Sequence, residues 1–171
     1  HENSARNGGG VYGFAVNNIF IYKTNISSNI AWFQGGGLKL QNLLSLFMVF
    51  SHCVENKAHI LGATLSFGYF DISNIYFCNF QSNLNVGIHA YNGKTLVNEN
   101  CSFRNNSGKL GAGIFARGCK TIITRNAVFD QNKVTRYGAA IYGQFVIAVR
   151  NINSSFIRNR GKTGGALFFQ Q

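Results

Sequence analysis

Residues 111–132, GAGIFARGCKTIITRNAVFDQN, decide the fold, because the same pattern returns 27 positions later in residues 138–159 as GAAIYGQFVIAVRNINSSFIRN. Both stretches begin with small residues and an aliphatic residue and end with Phe-x-x-Asn. Short segments rich in β-branched and aromatic residues, bounded by Gly and Asn, are typical of strands, whereas helical repeats need longer apolar patterns at spacings of three and four. The stretch therefore predicts an all-β repeat.

An asparagine marks the same point of each repeat, at intervals of 27, 27, 23, 26 and 27 residues: Asn29, Asn56, Asn83, Asn106, Asn132 and Asn159. Three positions earlier the chain has Ile26, Cys53, Phe80, Phe103, Phe129 and Phe156. Eighteen positions before each asparagine it has Val11, Leu38, Leu65, Ile88, Ile114 and Ile141. One constant spacing in six repeats indicates that equivalent residues stack in successive coils.

These spacings predict a right-handed parallel β-helix of about six coils of 23–27 residues, with coils about 4.8 Å apart. We expect an interior stack of the Phe positions, an interior aliphatic ladder, and a corner ladder in which each asparagine is left-handed and bonds to the next. A leucine-rich repeat would need a Leu-x-x-Leu-x-Leu frame, and a propeller blade about 40 residues or more, so neither fits.

The prediction is one β-helix domain, or a fragment of a longer β-helix, over residues 1–171. Its coils span approximately residues 9–35, 36–62, 63–86, 87–111, 112–138 and 139–164, with a partial coil at 165–171. The chain does not begin with Met and has no signal peptide at His1, so we expect a processed product or a fragment.

Composition excludes two broad classes of protein. Hydrophobic residues make up 46% of the chain and charged residues 12%, which is enough apolar material for a core and rules out a disordered tail. The longest apolar stretch, residues 43–50, is too short for a helix that spans a bilayer, so we expect no transmembrane segment.

Two pairs of motifs resemble the repeat of polymorphic outer membrane proteins. They are Gly111-Ala112-Gly113-Ile114 with Phe129-Asp130-Gln131-Asn132, and Gly138-Ala139-Ala140-Ile141 with Phe156-Ile157-Arg158-Asn159. The resemblance extends from about Gly8 onward, although the first two repeats have Ile26 and Cys53 at the Phe position. It implies a right-handed β-helix in a surface-exposed or secreted protein, commonly concerned with adhesion.

The acidic residues argue against an enzyme. Hydrolases and lyases of polysaccharides need clustered carboxylates, either as acid and base or as calcium ligands. This chain has five carboxylates, at unrelated positions of the repeats: Glu2, Glu55, Asp71, Glu99 and Asp130. We therefore expect neither catalysis nor a cofactor.

The histidines and glycine runs also lack the spacing of a known site. His52 and His89 occupy unrelated repeat positions, so we interpret them as surface residues rather than metal ligands. The glycines at 8–10 and 35–37 are not followed by Lys-Ser/Thr, and we interpret them as structural corners rather than a phosphate-binding loop.

Covalent modification is predicted at two kinds of position. Cys78 and Cys101 both lie five residues before their corner asparagine, so stacking would bring their Cα atoms within disulfide range. The alternative is two buried free thiols that pack as small apolar groups. Asn-x-Ser sequons begin at Asn25, Asn105, Asn100 and Asn153, and secretion from a eukaryotic cell would allow glycans there. Asn25 and Asn105 are the first candidates.

The net charge of +11 is concentrated in the second half of the chain. Lys133 and Arg160 occupy the position directly after the corner asparagine, as Lys57 does. Lys109 and Lys162 both occupy the position three residues after it. The predicted basic ridge would attract an acidic polysaccharide, an acidic protein or nucleic acid; its candidate residues are Lys109, Lys133, Arg136, Arg158, Arg160 and Lys162. The alternative is that these charges only keep neighbouring molecules from pairing edge to edge. No module for specific nucleic-acid recognition is recognisable.

The chain stops at Gln171 without a polar cap, so we expect continuation of the β-helix or end-to-end association with another copy. The leading hypothesis is a structural or adhesive protein, extracellular or on the cell surface, which could build a filament. The second is a module that binds an acidic polysaccharide through the basic ridge. An intracellular or organellar assembly subunit is the alternative for localisation.

Overall fold

The structure, a computed structural model, describes residues 1–62 and 64–171. Ala63, at which the third predicted coil begins, lies outside the described residues. Across the described part of the chain the secondary structure is entirely β, and each strand pair is parallel with its equivalent in the next coil. The predicted all-β solenoid of about six parallel coils is therefore confirmed.

The largest sheet has eleven strands and forms two adjoining faces of the solenoid. The first face contains β2 (Val11–Phe14), β6 (Leu38–Gln41), β15 (Ile114–Arg117), β19 (Ile141–Gln144) and β22 (Leu167–Gln170). The second face contains β3 (Asn18–Tyr22), β7 (Ser45–Val49), β16 (Thr121–Arg125) and β20 (Ala148–Ile152). Two strands run through both faces, β10 (Leu65–Tyr76) and β12 (Ile88–Glu99).

A six-stranded sheet forms the third face, and short strands follow the corner asparagines. The third face contains β4 (Asn25–Ser27), β8 (His52–Val54), β11 (Asn79–Gln81), β13 (Ser102–Arg104), β17 (Val128–Asp130) and β21 (Ser155–Ile157). The segment after the corner, here called the corner arc, contains β1 (Ser4–Ala5), β5 (Ile30–Ala31), β9 (Lys57–Ala58), β14 (Ser107–Leu110) and β18 (Lys133–Tyr137).

The predicted aliphatic ladder is confirmed by the strand register, which pairs each of its members with the next. The paired residues are Val11, Leu38, Leu65, Ile88, Ile114, Ile141 and Leu167. Leu65, Ile88, Ile114 and Ile141 are fully buried, whereas Val11 is 52% exposed. The ladder therefore forms one wall of the core from the second coil onward.

The predicted stack at the Phe positions is also confirmed. Phe80, Phe103, Phe129 and Phe156 lie ring over ring, with centroids 4.9, 4.7 and 5.1 Å apart and planes within 6° of parallel. Ile26 and Cys53 continue the same column in the first two coils. The ring spacing matches the strand spacing, so one aromatic column can fill the interior without a gap.

The corner asparagines form a continuous hydrogen-bonded ladder through the buried interior. Asn106 shows the arrangement: its backbone N–H and its Nδ2 both donate to Oδ1 of Asn132, at 3.1 Å each, and Nδ2 also donates to the carbonyl of Phe80. The same bonds link each predicted corner asparagine to the next. Asn3 adds an earlier rung, bonded to Asn29, that was not among the predicted corner asparagines.

The left-handed conformation predicted for the corner asparagines is wrong by one residue. The residue before each asparagine has the positive φ: Ser28, Glu55, Ser82, Asn105, Gln131 and Arg158. The asparagine itself does not have a positive φ; its N–H donates along the ladder and its side chain is buried. The preceding residue therefore makes the turn.

Candidate functional site

The basic residues predicted to form a ridge lie on the corner arc, and they divide into two groups. The register places Lys133 directly beside Arg160, and both side chains are exposed. Lys57 belongs to the same column but is separated from Lys133 by Leu84 and Ser107. The ridge is therefore continuous only in the last two coils, where Arg136 and Lys162 are exposed as well; Lys109 is exposed one coil earlier.

Arg158 differs from the other ridge candidates because an acidic partner offsets its charge. Its Nε and Nη2 donate to the two carboxylate oxygens of Asp130 at 3.1 and 2.9 Å, a bidentate ion pair between adjacent coils. Arg158 lines a groove of about 370 Å³ together with Lys133, Arg160 and the sequon residue Asn105. In that groove Lys133 and Arg160 are the cations that face solvent without a carboxylate partner among the described residues.

An aromatic patch, partly half-buried and partly exposed, runs along the second face and the corner that follows it in the first three coils. Its six rings touch one another in a chain: Phe20 with Tyr22 and Phe47, Tyr22 with Phe50, Phe47 with Tyr76, and Phe50 with Phe77. Phe20 is 66% and Phe77 51% exposed. We call these six residues the aromatic patch. The repeat pattern of the sequence does not show that these rings lie next to one another.

A cleft of about 590 Å³ opens on the first face, and Tyr91 is one of its lining residues. Tyr91 follows Gln41 and Gly68 in one outward column, and its ring covers Gly68, where an added Cβ would lie 2.2 Å from a ring carbon. Gly68 therefore leaves the space through which Tyr91 reaches back over one coil to the coil before it. Its hydroxyl oxygen accepts hydrogen bonds from Lys39 Nζ at 2.9 Å and from Gln41 Nε2 at 2.8 Å.

Lys39 lies behind the cleft as a buried cation, only 3% exposed. Its ammonium donates to Gln34 Oε1, Ser66 Oγ and Tyr91 OH, three neutral acceptors, and it lies 4.7 Å from the Tyr91 ring centroid. Desolvation by burial lowers the pKa of Lys39 to about 8. No carboxylate of the described residues contacts this ammonium, and an unneutralised buried charge is uncommon in proteins.

His89 was predicted to be a surface residue, and this is wrong: it is only 4% exposed. Its ring packs between Tyr91 and Phe115, and its Nδ1 lies 3.2 Å from Ser66 Oγ. Desolvation by burial, followed by the charges of Lys39 and Arg117, lowers the pKa of His89 to about 3. The imidazole is therefore neutral at physiological pH.

The hydrogen bonds around Ser66 favour one tautomer of this neutral ring. Ser66 Oγ accepts from Lys39, which can only donate, and Nδ1 of His89 is the acceptor that the described residues offer to the Ser66 proton. In that arrangement the ring proton of His89 is on Nε2. Sequence reasoning could not find this cluster, because Lys39, Ser66 and His89 come from three repeats and share no residue type.

The four cysteines are buried free thiols in the described structure. Cys78 and Cys101 occupy equivalent positions in adjacent coils, and a hydrogen bond from Cys101 is the main cause that lowers the pKa of Cys78. Burial raises the pKa of Cys101 well above its usual value. A disulfide between Cys78 and Cys101 stays a prediction that depends on an oxidising compartment.

The sequon asparagines differ in accessibility. Asn25, Asn105 and Asn153 are exposed, and Ile26 of the first sequon points inward as expected. Asn100 is half-buried, and the hydroxyl of Ser102 in its sequon is buried. Occupancy of all four sites stays a prediction, and the geometry favours the three exposed ones.

Neither a metal site nor a membrane helix is recognisable in the described residues. No group of three or more His, Cys, Asp or Glu side chains is placed to hold a metal ion in residues 1–62 and 64–171. Within the same ranges, no helix has the length and apolar character needed to cross a membrane.

Comparison with known proteins identifies the repeat type. Residues 126–144 match the family model of the Chlamydia polymorphic membrane protein repeat. The matched segment contains two of the motifs that carry the resemblance, Phe129-Asp130-Gln131-Asn132 and Gly138-Ala139-Ala140-Ile141. The chain therefore contains a Pmp-like repeat. A search of curated proteins and a search of solved structures found no match.

Proposed function

We propose that this chain is part of a non-enzymatic, surface-exposed or secreted β-helix protein that acts in adhesion, with the aromatic patch as its contact surface. The observation that carries the proposal is the chain of six rings, each in contact with the next, along the second face and its following corner. Extended exposed apolar surface is typical of sites that bind other molecules. The Pmp-like repeat at residues 126–144 supports a surface location.

The acidic residues support a non-catalytic function. Asp71, Glu99 and Asp130 each pair with a different basic residue, Lys94, Arg125 and Arg158 respectively. Acid–base hydrolysis of a glycoside needs two carboxylates that face one substrate. The carboxylates of the described residues are instead distributed singly over the surface.

Adhesion can be tested with beads coated with the folded chain and applied to cultured epithelial cells. The double variant Phe50→Asn/Phe77→Asn removes two rings, and Asn fits because Asn100, Asn126 and Asn153 occupy the same left-handed column. We expect at least about a tenfold loss of bead binding, since burial of even one of the two Phe rings contributes about 1.5–3 kcal/mol. The matched control Lys133→Gln/Arg160→Gln should retain binding. Full adhesion by the Phe variant would overturn the proposal.

End-to-end assembly into a filament is a further part of the proposal. Every coil has nearly the same register, so an added coil from a longer chain or a second copy would meet an equivalent hydrogen-bonding edge. Electron microscopy and sedimentation of the purified chain over a range of concentrations test this. A monomer at all concentrations would leave adhesion in place and remove the filament.

The second candidate function is binding of an acidic polysaccharide at the ridge. The observation that favours it is the exposed pair Lys133 and Arg160, which the acidic residues of the described chain leave unneutralised. Salt-dependent retention on a sulfated polysaccharide column would support it, provided that Lys133→Gln/Arg160→Gln elutes at lower salt. Identical elution of the variant would exclude the ridge as the binding surface.

A further inference from the structure

We propose that the cleft on the first face binds a carboxylate-bearing sugar residue, with Tyr91, His89 and Arg117 as hydrogen-bond donors to the carboxylate. This site is distinct from both the aromatic patch and the basic ridge, and it does not depend on the adhesive function. Four kinds of observation support it: the donors, the charge, the lining and the volume of the cleft.

The polar groups that line the cleft are arranged to donate. The hydroxyl oxygen of Tyr91 already accepts two hydrogen bonds, and the described residues offer no acceptor for its own proton. His89 also lines the cleft, and in the tautomer that accepts from Ser66 at Nδ1 its ring carries a donor at Nε2. Arg117 follows Tyr91 in the same outward column and adds an exposed guanidinium, which pairs with carboxylates through two parallel bonds. A ligand in this place must supply acceptors.

The charge of the cleft also favours an anion. Lys39 and Arg117 are both close enough to His89 to lower its pKa. The residues that line the cleft include no Asp or Glu among those described. The other titratable groups near Lys39 are tyrosines and the neutral His89, so none of them supplies a negative charge to neutralise the ammonium. An incoming carboxylate would therefore reduce the electrostatic cost of burying Lys39.

The remaining lining residues indicate a ligand larger than a simple anion. Phe145 forms an exposed aromatic edge, Phe115 adds an apolar wall, and Gln34 and Asn92 contribute side-chain amides. Aromatic surface packs on the apolar face of a pyranose ring, and amides bond to its hydroxyl groups. A volume of about 590 Å³ is larger than acetate or phosphate needs and is within the usual range for small-molecule sites.

The binding test uses glucuronate as the probe, with glucose, acetate and inorganic phosphate as comparison ligands, each titrated into the folded chain by calorimetry or NMR. We expect glucuronate to bind at least tenfold more tightly than the other three. Equal binding of acetate or phosphate would reduce the cleft to a general anion site and overturn the sugar assignment. Absence of glucuronate binding at millimolar concentration would overturn the site itself.

Two conservative variants test the assigned donors. Tyr91→Phe keeps the ring over Gly68 and removes the hydroxyl, and Arg117→Gln introduces the residue that Gln144 provides in the next coil. Each should weaken glucuronate binding by about tenfold, the usual effect of losing a hydrogen bond to a charged group. The control Arg150→Gln removes an exposed cation on the second face, away from both sites, and should bind normally. If Lys133→Gln loses binding while Tyr91→Phe and Arg117→Gln keep it, the ligand binds at the ridge and the inference fails.

Discussion

The rings of Phe103 and Phe129 lie 4.7 Å apart with only 2° between their planes, although 26 residues separate them in the chain. Adjacent coils bring the two rings together because Phe103 and Phe129 are direct partners in the parallel register of β13 and β17. The interior of this solenoid is thus built from columns of equivalent residues. Each column can be tested with a substitution at one residue and a control beside it.

Phe129→Ala should lower the free energy of unfolding by about 3–5 kcal/mol, because it opens a cavity within the aromatic column. Phe129→Asp should be worse and prevent folding, since it also buries an unpaired charge. The neighbouring Asp130→Asn loses only a partly exposed ion pair with Arg158, for which we expect less than about 1 kcal/mol. Urea denaturation measures all three. Similar stability of Phe129→Asp and Asp130→Asn would show that the register is wrong.

Two fully buried asparagines should respond in opposite directions to the same substitution. Asn106 satisfies its side chain through the corner ladder, whereas neither Nδ2 nor Oδ1 of Asn98 has a partner among the described residues. Asn98→Leu should raise the free energy of unfolding by about 1 kcal/mol, and Ile75 already occupies the same column. Asn106→Leu should lower the free energy of unfolding by several times that amount, because it breaks the hydrogen bonds of the corner ladder. Loss of stability in Asn98→Leu would indicate a partner for that amide.

Residues with positive φ should tolerate glycine, and their neighbours should not. Glu55 is exposed and has a φ of 55°, so Glu55→Gly should raise the free energy of unfolding by up to about 1 kcal/mol. Arg104 is equally exposed but lies within β13, where Arg104→Gly should lower it by about 0.5–1 kcal/mol. Thermal melting of both variants is the measurement. The same sign for both would contradict the assigned corner.

His89 should make the fold sensitive to acid. Its folded-state pKa of about 3 lies below the ordinary value of 6.5. Between these two pH values His89 is therefore protonated in the unfolded chain and neutral in the folded chain. Stability should therefore fall as the pH decreases from about 6.5 to 3. His89→Phe, which repeats Phe115 of the next coil, should flatten this slope. Denaturation at several pH values measures it, with the exposed His52→Phe as control; equal slopes in wild type and His89→Phe would refute the prediction.

Peptide mapping of native material under non-reducing conditions tests the predicted modifications. In an oxidising compartment we expect Cys78 and Cys101 to be crosslinked, because they occupy equivalent positions of adjacent coils. A eukaryotic secretory route should add glycans at the exposed Asn25 and Asn105. Free thiols with unmodified asparagines would favour the alternative of an intracellular or organellar assembly subunit.

The inward-facing columns could be predicted from sequence because stacking demands residues of similar size and bonding at a fixed spacing. The asparagine ladder is an example: a rung that cannot donate to its neighbour leaves a buried Oδ1 unbonded, so Asn recurs from Asn29 to Asn159. Asn3 escaped notice because no Phe or aliphatic residue precedes it to mark a repeat. The left-handed turn was placed one residue late, since the spacing defines a corner but not which residue makes it.

The sequence by itself therefore determined the solenoid, its register and its core, whereas only the tertiary structure revealed the surfaces. Outward side chains are free to differ from coil to coil, so a site assembled on them has no period. Tyr91 reaches Lys39 across two coils only because Gly68 lacks a side chain, and no spacing in the sequence encodes that contact. The repeat spacing reflects the packing of inward-facing side chains. The proposed binding surfaces consist largely of outward-facing side chains, which this packing does not restrict.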